Sequence, residues 1–403
     1  MKRRDLLVSG LGVSAGLAVA PFAHAQVEVR GVTKTEIRLG QTNPYSGPLS
    51  AYSAWYGKVQ LAYCDMINDR GGINGRKVKL ISYDDGYQPP RTVEQVRKLV
   101  ESDNVAAMLM IFGTAPNRAV VKYLNSKKVP QIFAGVSGDG FADPQTQPYT
   151  MPFQPTARIE ARVFGQYMAK NLPGKKIGVL YQLDEIGEGV RKGLRDGLGP
   201  DLEKLIVSEQ SYQPSDTTVD SQVLNLRAAG AEVFFNSATV KHCAQAAKKA
   251  QEIGWQPTMF LINTSAAVSK ILEESGSKLA DGTVTSTWHK NPNDPQWAND
   301  PAMKEWKAFM AKYYPTGDAT EPSCVLSTVY CQAMFHVLEK CGDNLTGENI
   351  INIARNLKQV SLPLMLPGIT LDTTPTDYYP IQKLQLVHIE AGKWKSFGPV
   401  IGS

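Results

Sequence analysis

The sequence predicts an α/β protein of two doubly wound lobes joined by a hinge of several strands. At 403 residues the chain is long for a single core. From residue 36 onward, short runs rich in β-branched residues alternate with longer stretches of helical period, the order that builds a parallel sheet covered by helices on both faces. The series then starts again after Pro152 and Pro155. A composition of 42% hydrophobic and 20% charged residues, without low-complexity tracts, is that of a folded globular chain.

The first series opens with a strand over 36–41, which runs into Thr42-Asn43-Pro44-Tyr45-Ser46-Gly47-Pro48, a loop of turn residues. A helix over 54–68 stops at Gly71-Gly72. Strands over 77–84, 105–112 and 131–135 follow, separated by helices over 91–101 and 117–127. The second series has a helix over 158–171 and strands over 176–181, 204–210, 232–236 and 258–262, with helices between. Beyond Gly282 a polar stretch leads to helices over 302–313, 324–340 and 348–356, which are expected to return to the first lobe. The alternating segment 381–389 turns at Ala391-Gly392 into Lys393-Trp394-Lys395, a terminal hairpin. The expected division is a signal peptide at 1–25, lobe 1 at 26–152 plus 286–365, and lobe 2 at 153–285 plus 366–403.

Export is expected from the N-terminus: Lys2, Arg3 and Arg4 precede an uncharged stretch from Leu6 to Pro21, then Ala23-His24-Ala25, with cleavage before Gln26. Arg3-Arg4 resembles a twin-arginine signal, although Lys2, Leu6 and Val8 depart from its usual flanks. The apolar stretch is shorter than the roughly 20 residues that cross a bilayer. Cleavage lowers the formal net charge from +5 to +3. With Lys and Arg scattered among Asp and Glu, no nucleic-acid partner is expected. The five cysteines, Cys64, Cys243, Cys324, Cys331 and Cys341, leave at least one thiol unpaired, and none follows the signal to carry a lipid anchor.

No enzyme motif survives inspection. Gly187-Glu188-Gly189 with Gly193 is one residue too long for a dinucleotide fingerprint and too far from its strand. Gly135-Val136-Ser137-Gly138 lacks the last glycine of a nucleophile elbow. Of His242, His289, His336 and His388, none sits in a metal-binding spacing, and Cys331, His336 and Cys341 do not share a helix face. Asp84-Asp85 before Gly86 reads as a turn that binds backbone N–H groups. No cofactor, metal or catalytic residue is therefore expected.

Four segments together resemble a known family: 37–48 (IRLGQTNPYSGP), 67–77 (INDRGGINGRK), Asp84-Asp85 and 179–189 (VLYQLDEIGEG). They resemble type I periplasmic binding proteins, and most closely the branched-chain amino acid branch of the ABC-transporter substrate-binding proteins, from about Thr35 to Pro399. The resemblance implies two Rossmann-like lobes, three hinge crossings, a small molecule in the interlobe cleft, docking to an inner-membrane permease, and a monomer. A ligand-sensing receptor module is the reading from another class.

Carried over by position, the first lobe is expected to contribute Tyr45, Ser46, Phe112, Gly113, Thr114, Ala115, Val136, Ser137 and Gly138. The hydroxyls of Thr114 and Ser137 suit a carboxylate; the plainer reading is that they cap the next helices. The second lobe is expected to contribute Glu185, Ile186, Ala238, Thr239 and Thr264. Amino acid binders in this family resemble one another in an aromatic residue where Ile186 stands, and in an acidic residue near Thr264 that meets the ligand ammonium. Neutral Asn263, Thr264 and Ser265 point instead to an organic acid without an α-amino group, because a buried ammonium without a partner is costly. Asp184 or Glu185 could substitute, and a branched-chain or other amino acid is the alternative ligand. NPYSGP and LPLMLPGI resemble the aromatic-acid subgroup, with Tyr45, Tyr52, Phe112 and Trp288 as candidate pocket aromatics.

Overall fold

The computed structural model describes residues 29–47, 49–265 and 278–402; the expected signal peptide and the Tyr52 side chain lie outside the described set. The first sheet holds β1 (Glu36–Asn43), β2 (Lys77–Asp84), β3 (Ala107–Leu109), β4 (Gln131–Ala134) and β5 (Thr150–Pro152) in the order β2-β1-β3-β4-β5, all parallel. Between these strands run α1 (Ser50–Asp69), α2 (Pro89–Glu101) and α3 (Thr114–Ser126).

The second sheet is built from β6 (Ile177–Gln182), β7 (Ile206–Tyr212), β8 (Val233–Ser237), β9 (Thr258–Leu261), β10 (Val284–Thr287), β11 (Lys383–Glu390) and β12 (Lys393–Gly402). Its order is β12-β11-β10-β9-β8-β6-β7, parallel up to β10, with β11 and β12 added as an antiparallel hairpin. Its helices are α4 (Ala157–Asn171), α5 (Glu185–Leu198), α6 (Asp220–Ala228) and α7 (Val240–Glu252). The late helices α8 (Pro301–Tyr313), α9 (Pro322–Cys341) and α10 (Gly347–Ala354) turn back: α9 packs on α1 and reaches β3 and β4. Fifteen of the 20 residues of α9 are buried, so it is the central helix of the first half and has no polar face.

Local chemistry explains the element ends. Asp184, Asp300 and Glu321 accept N–H groups in the first turns of α5, α8 and α9, the last two helices starting on a proline. The third strand is shorter than the expected 105–112, because Met110 takes a positive φ of 43° and bends the chain out of the ladder. Strands β5 and β10, three and four residues long, escape the sequence reading because so few residues carry no period.

The glycines of α5 have a packing role. A Cβ at Gly193 would lie 2.1 Å from the Arg158 carbonyl oxygen, and one at Gly197 2.1 Å from that of Arg162, so α5 rests backbone to backbone on α4. Of the run that mimics a dinucleotide fingerprint, Gly193 belongs to this helix crossing, while a Cβ at Gly187 would strike the Gln182 carbonyl at 1.9 Å. All five cysteines are buried and free. Among the described residues no helix is long and apolar enough to cross a membrane, and no cluster of three or more metal-ligating side chains occurs.

Gly193→Ala sets two effects against each other. Helix propensity favours Ala by about 1 kcal/mol, while overpacking against a rigid carbonyl costs about 1–3 kcal/mol. Because the clash is with backbone, net destabilisation of about 1–2 kcal/mol is expected in urea unfolding; a stabilised variant would show that α4 and α5 can separate freely.

Candidate ligand-binding cleft

Loops leaving the C-terminal ends of the parallel strands of the two sheets meet across a cleft. On the first-sheet side, Gly113 holds the N-terminus of α3 at φ 96°, a conformation that favours glycine, and no side chain caps that helix. A Cβ at Gly113 would strike the Tyr87 ring at 2.2 Å. The Gly113 N–H reaches the Gly135 carbonyl at 2.8 Å, which joins the 112–115 and 136–138 loops. Thr114 Oγ1 accepts the Gly138 N–H at 3.3 Å. Thr114 is thus the first residue inside α3, and no helix follows Ser137 directly; Ser137 Oγ instead accepts from Gln154 Nε2 at 2.8 Å. Neither hydroxyl caps a helix.

On the second-sheet side, Asp184 caps α5, and Glu185 in its first turn forms an ion pair with Arg118 of α3. Arg118 also donates to the Asp139 and Gly140 carbonyls at 3.0 and 3.2 Å and lies over the Phe141 ring. A Cβ at Gly138 would be 3.5 Å from the Glu185 carboxyl carbon, so this flank of the cleft is shut. Burial raises the Tyr87 hydroxyl above its usual range, and the negative charge of Asp184 across the cleft adds to that rise.

The sequence-predicted residues separate into groups. Gly113, Thr114, Gly138 and Glu185 come together; Ala115 is exposed beside them, Val136 is fully buried behind them, and Ile186 is half-buried against the core. Phe112 packs on Tyr56 and Tyr87, with ring centroids 5.4 and 6.2 Å apart. Tyr45 and Ser46 are tied to β2: the Tyr45 hydroxyl is 2.6 Å from Ser82 Oγ, and Asp84 accepts both their backbone N–H groups, the Ser46 hydroxyl, the Gly86 N–H and Arg91. Burial alone would raise the Asp84 carboxyl; the bonds from Ser46, Gly86 and Tyr45 outweigh it and hold the group below its ordinary value. Ala238 is buried, and the Thr239 N–H donates to the Tyr212 hydroxyl at 2.7 Å. Trp288 joins the core around Phe153.

The open volume lies further along the cleft, toward β10 and β12. A cavity of about 580 Å³ is bounded on the first side by Tyr56, the 291–297 segment and the start of α9 (Glu321, Pro322, Ser323), and on the second by Thr264, Thr285, Val387 and Trp394. Asp294, Asp318 and Glu321 line it, and no Lys or Arg does among the described residues. The nearby Lys290 is buried and paired with Asp300 at 2.7 Å. His289, also on its wall, is held neutral by burial, its pKa lowered to about 4. A recess of about 20 Å³ shares Asn263, Thr264 and Ser286 with this cavity and adds Ser137, Gln154 and Glu160.

A family model described as periplasmic binding protein matches residues 36–393. The chain belongs to the periplasmic binding protein family. It is 22% identical over 344 residues to an amino acid binding protein of Pseudomonas aeruginosa, covering 84% of each, and 25% identical over 258 residues to the Leu/Ile/Val-binding protein homolog 7 of Brucella suis, covering 62% of each. In fold it is similar to a branched chain amino acid ABC transporter protein from Thermus thermophilus solved with bound valine, at a TM-score of 0.78 and 15% identity over 92% of this chain and 98% of that one. It is also similar to a fatty acid ABC transporter substrate-binding protein from Thermomonospora curvata, at 0.75 and 21% over 93% and 95%.

The sequence reading of this periplasmic binding protein missed Glu160. Its carboxylate sits where an acid near Thr264 was thought absent, accepting the Asn263 N–H at 2.8 Å and the Ser286 hydroxyl at 2.5 Å. A signal existed: Ala157, Glu160, Ala161, Phe164 and Met168 share the spacing of one buried helix face, which an unpaired surface carboxylate would avoid. The cavity residues of β10 and 291–297 carried no such signal, since only the fold brings them together.

Glu185→Gln removes the ion pair across the shut flank. Because both side chains are 40% exposed, stability should change by less than about 1 kcal/mol, while the ligand-free protein should expand in small-angle X-ray scattering. An unchanged radius of gyration would show that packing at Gly138, not charge, keeps the flank closed.

Proposed function

We propose that this chain is the exported substrate-binding component of an ABC importer, which captures a small organic acid in the interlobe cleft and delivers it to an inner-membrane permease without catalysing a reaction. The lobes of this reading are 26–152 plus 286–365 and 153–285 plus 366–403. The observation that carries it is the N-terminus of α3, which no side chain caps and which lies at the closed flank of the cleft beside Gly138 and Arg118. Orphan N–H groups and the positive end of a helix favour a carboxylate. The cavity and its aromatic walls, Tyr56, Trp297 and Trp394, leave room for a ligand body the size of an aromatic acid. Capture of a transported solute by hinge closure is the motion this two-lobe architecture supports.

A specific observation favours a second reading, an amino acid. The expectation of a ligand without an α-amino group rested on the absence of an acid near Thr264, and Glu160 is such an acid.

A thermal-shift screen of the protein purified from the periplasm, against benzoate-type acids, short aliphatic acids and amino acids, tests the capture reading. At 100 times Kd a true ligand stabilises by about 2.7 kcal/mol, enough for a clear rise in midpoint. Thr114→Ala is expected to remove most of that rise while the ligand-free midpoint stays within about 1 kcal/mol. Shifts by none of these compounds would remove the carboxylate reading.

A further inference from the structure

We propose that Tyr87 is the size-selecting residue of the cleft: its ring stands over Gly113 at the start of α3 and limits how broad a solute can lie there, and Asp85 is the positioning residue that holds it. The inference rests on the capture reading and adds to it the residue that sets which solutes fit.

The argument starts from backbone strain. Gly86 and Tyr87 take positive φ in succession, 57° and 60°. Glycine adopts that conformation freely, but a bulky aromatic residue does so only where its surroundings force it, and such outliers gather at binding sites. Here the aspartate pair supplies the force. Asp84 accepts the Gly86 N–H at 3.0 Å. The fully buried Asp85 accepts the Tyr87 N–H at 2.9 Å through Oδ1 and the Thr92 hydroxyl at 3.0 Å through Oδ2. Its carbonyl takes the Gln88 N–H at 3.0 Å, which closes the turn. The motif that the sequence shows as a plain turn therefore aims one side chain.

The aim is across the sheet. Strands β2 and β3 flank β1, so the loops after them start about 10 Å apart. Tyr87 bridges that gap: a Cβ at Gly113 would lie 2.2 Å from its Cε2, 3.0 Å from Cζ and 3.1 Å from the hydroxyl oxygen. The ring thus rests on the bare Cα of Gly113, and only glycine leaves it that place. Its next neighbour is Phe112, at 6.2 Å between centroids, and Phe112 packs at 5.4 Å on Tyr56, which lines the open cavity. Three rings form a row that leads from the open volume to the start of α3, and Tyr87 stands at its far end.

Tyr87 is only half-buried, and its hydroxyl makes no hydrogen bond to a described residue, so neither deep burial nor a polar partner accounts for the strained backbone. Across the cleft stands Asp184, whose charge adds to the burial that raises the Tyr87 hydroxyl above its usual range. A solute that reaches toward α3 has its body beside this ring, between Phe112 and Asp184.

The test is titration calorimetry on the protein purified from the periplasm, with matched narrow and broad solutes: benzoate with 2-naphthoate, and leucine with tryptophan. The native protein should bind the narrow member of a pair better. Tyr87→Ala should shift that preference toward the broad member by about tenfold or more, and Tyr87→Gly, which also relieves the positive φ, should shift it equally. Tyr87→Phe keeps the ring and should keep the native preference. Asp85→Ala should move the preference in the same direction as Tyr87→Ala, and Asp85→Asn, which retains an acceptor for the Tyr87 N–H, should restore it. If Asp85 were merely structural, Asp85→Ala would lower the melting temperature of the ligand-free protein without moving the ratio. An unchanged ratio in both Tyr87→Ala and Tyr87→Gly would overturn the inference and leave the capture reading standing. Binding of neither pair, by the native protein or by Tyr87→Gly, would overturn both.

Discussion

The arrangement of this protein depends on an aromatic cluster where the chain passes from one sheet to the other. Phe153, just after β5, packs against Phe133 of β4, Tyr330 of α9 and Trp288 beyond β10, at centroid distances of 5.0, 4.4 and 5.6 Å. These four rings bring together segments nearly 200 residues apart and belong to one core that runs through both halves. Tilted and edge-to-face arrangements of this kind are the ones that the quadrupoles of aromatic rings favour. The cluster fixes where the halves meet while the loops beyond it stay separate elements.

Around that pivot the cleft is electrically divided. The flank at α3 and α5 carries uncapped N–H groups, Arg118 and the shut contact with Glu185. The flank at β10 and α9 carries carboxylates, a neutral histidine and the open volume. Glu160 lies at the boundary between these flanks, beside residues of the first crossing, Gln154 and Pro155, and of the second, Trp288.

The glycine-rich start of α5 shows how one motif can serve unrelated ends. In a dinucleotide fold such glycines let a backbone approach phosphate; here Gly187 lets the turn close on the Gln182 carbonyl, and Gly193 and Gly197 let α5 approach α4. Both uses require a missing Cβ. Composition alone therefore does not separate them, and the one-residue misfit in spacing was the informative feature.

The sequence by itself determined the alternation of strands and helices, the restart after Pro155, the hairpin at Ala391-Gly392 and the membership of a two-lobe α/β class, because these rest on periodicity and turn chemistry acting over a few residues. The family resemblance, carried over by position, also put Gly113, Thr114, Gly138 and Glu185 into one list. The tertiary structure alone decided that Tyr45 and Ser46 answer to Asp84, that the cavity lies toward β10 and α9, and that an acid from α4 stands beside Thr264. The physical reason is distance along the chain: Glu160 meets Ser286 across 126 residues, and Tyr330 lies 176 from Gln154. Local propensity cannot encode such pairings, which arise only when burial of the shared core selects one packing of the two sheets.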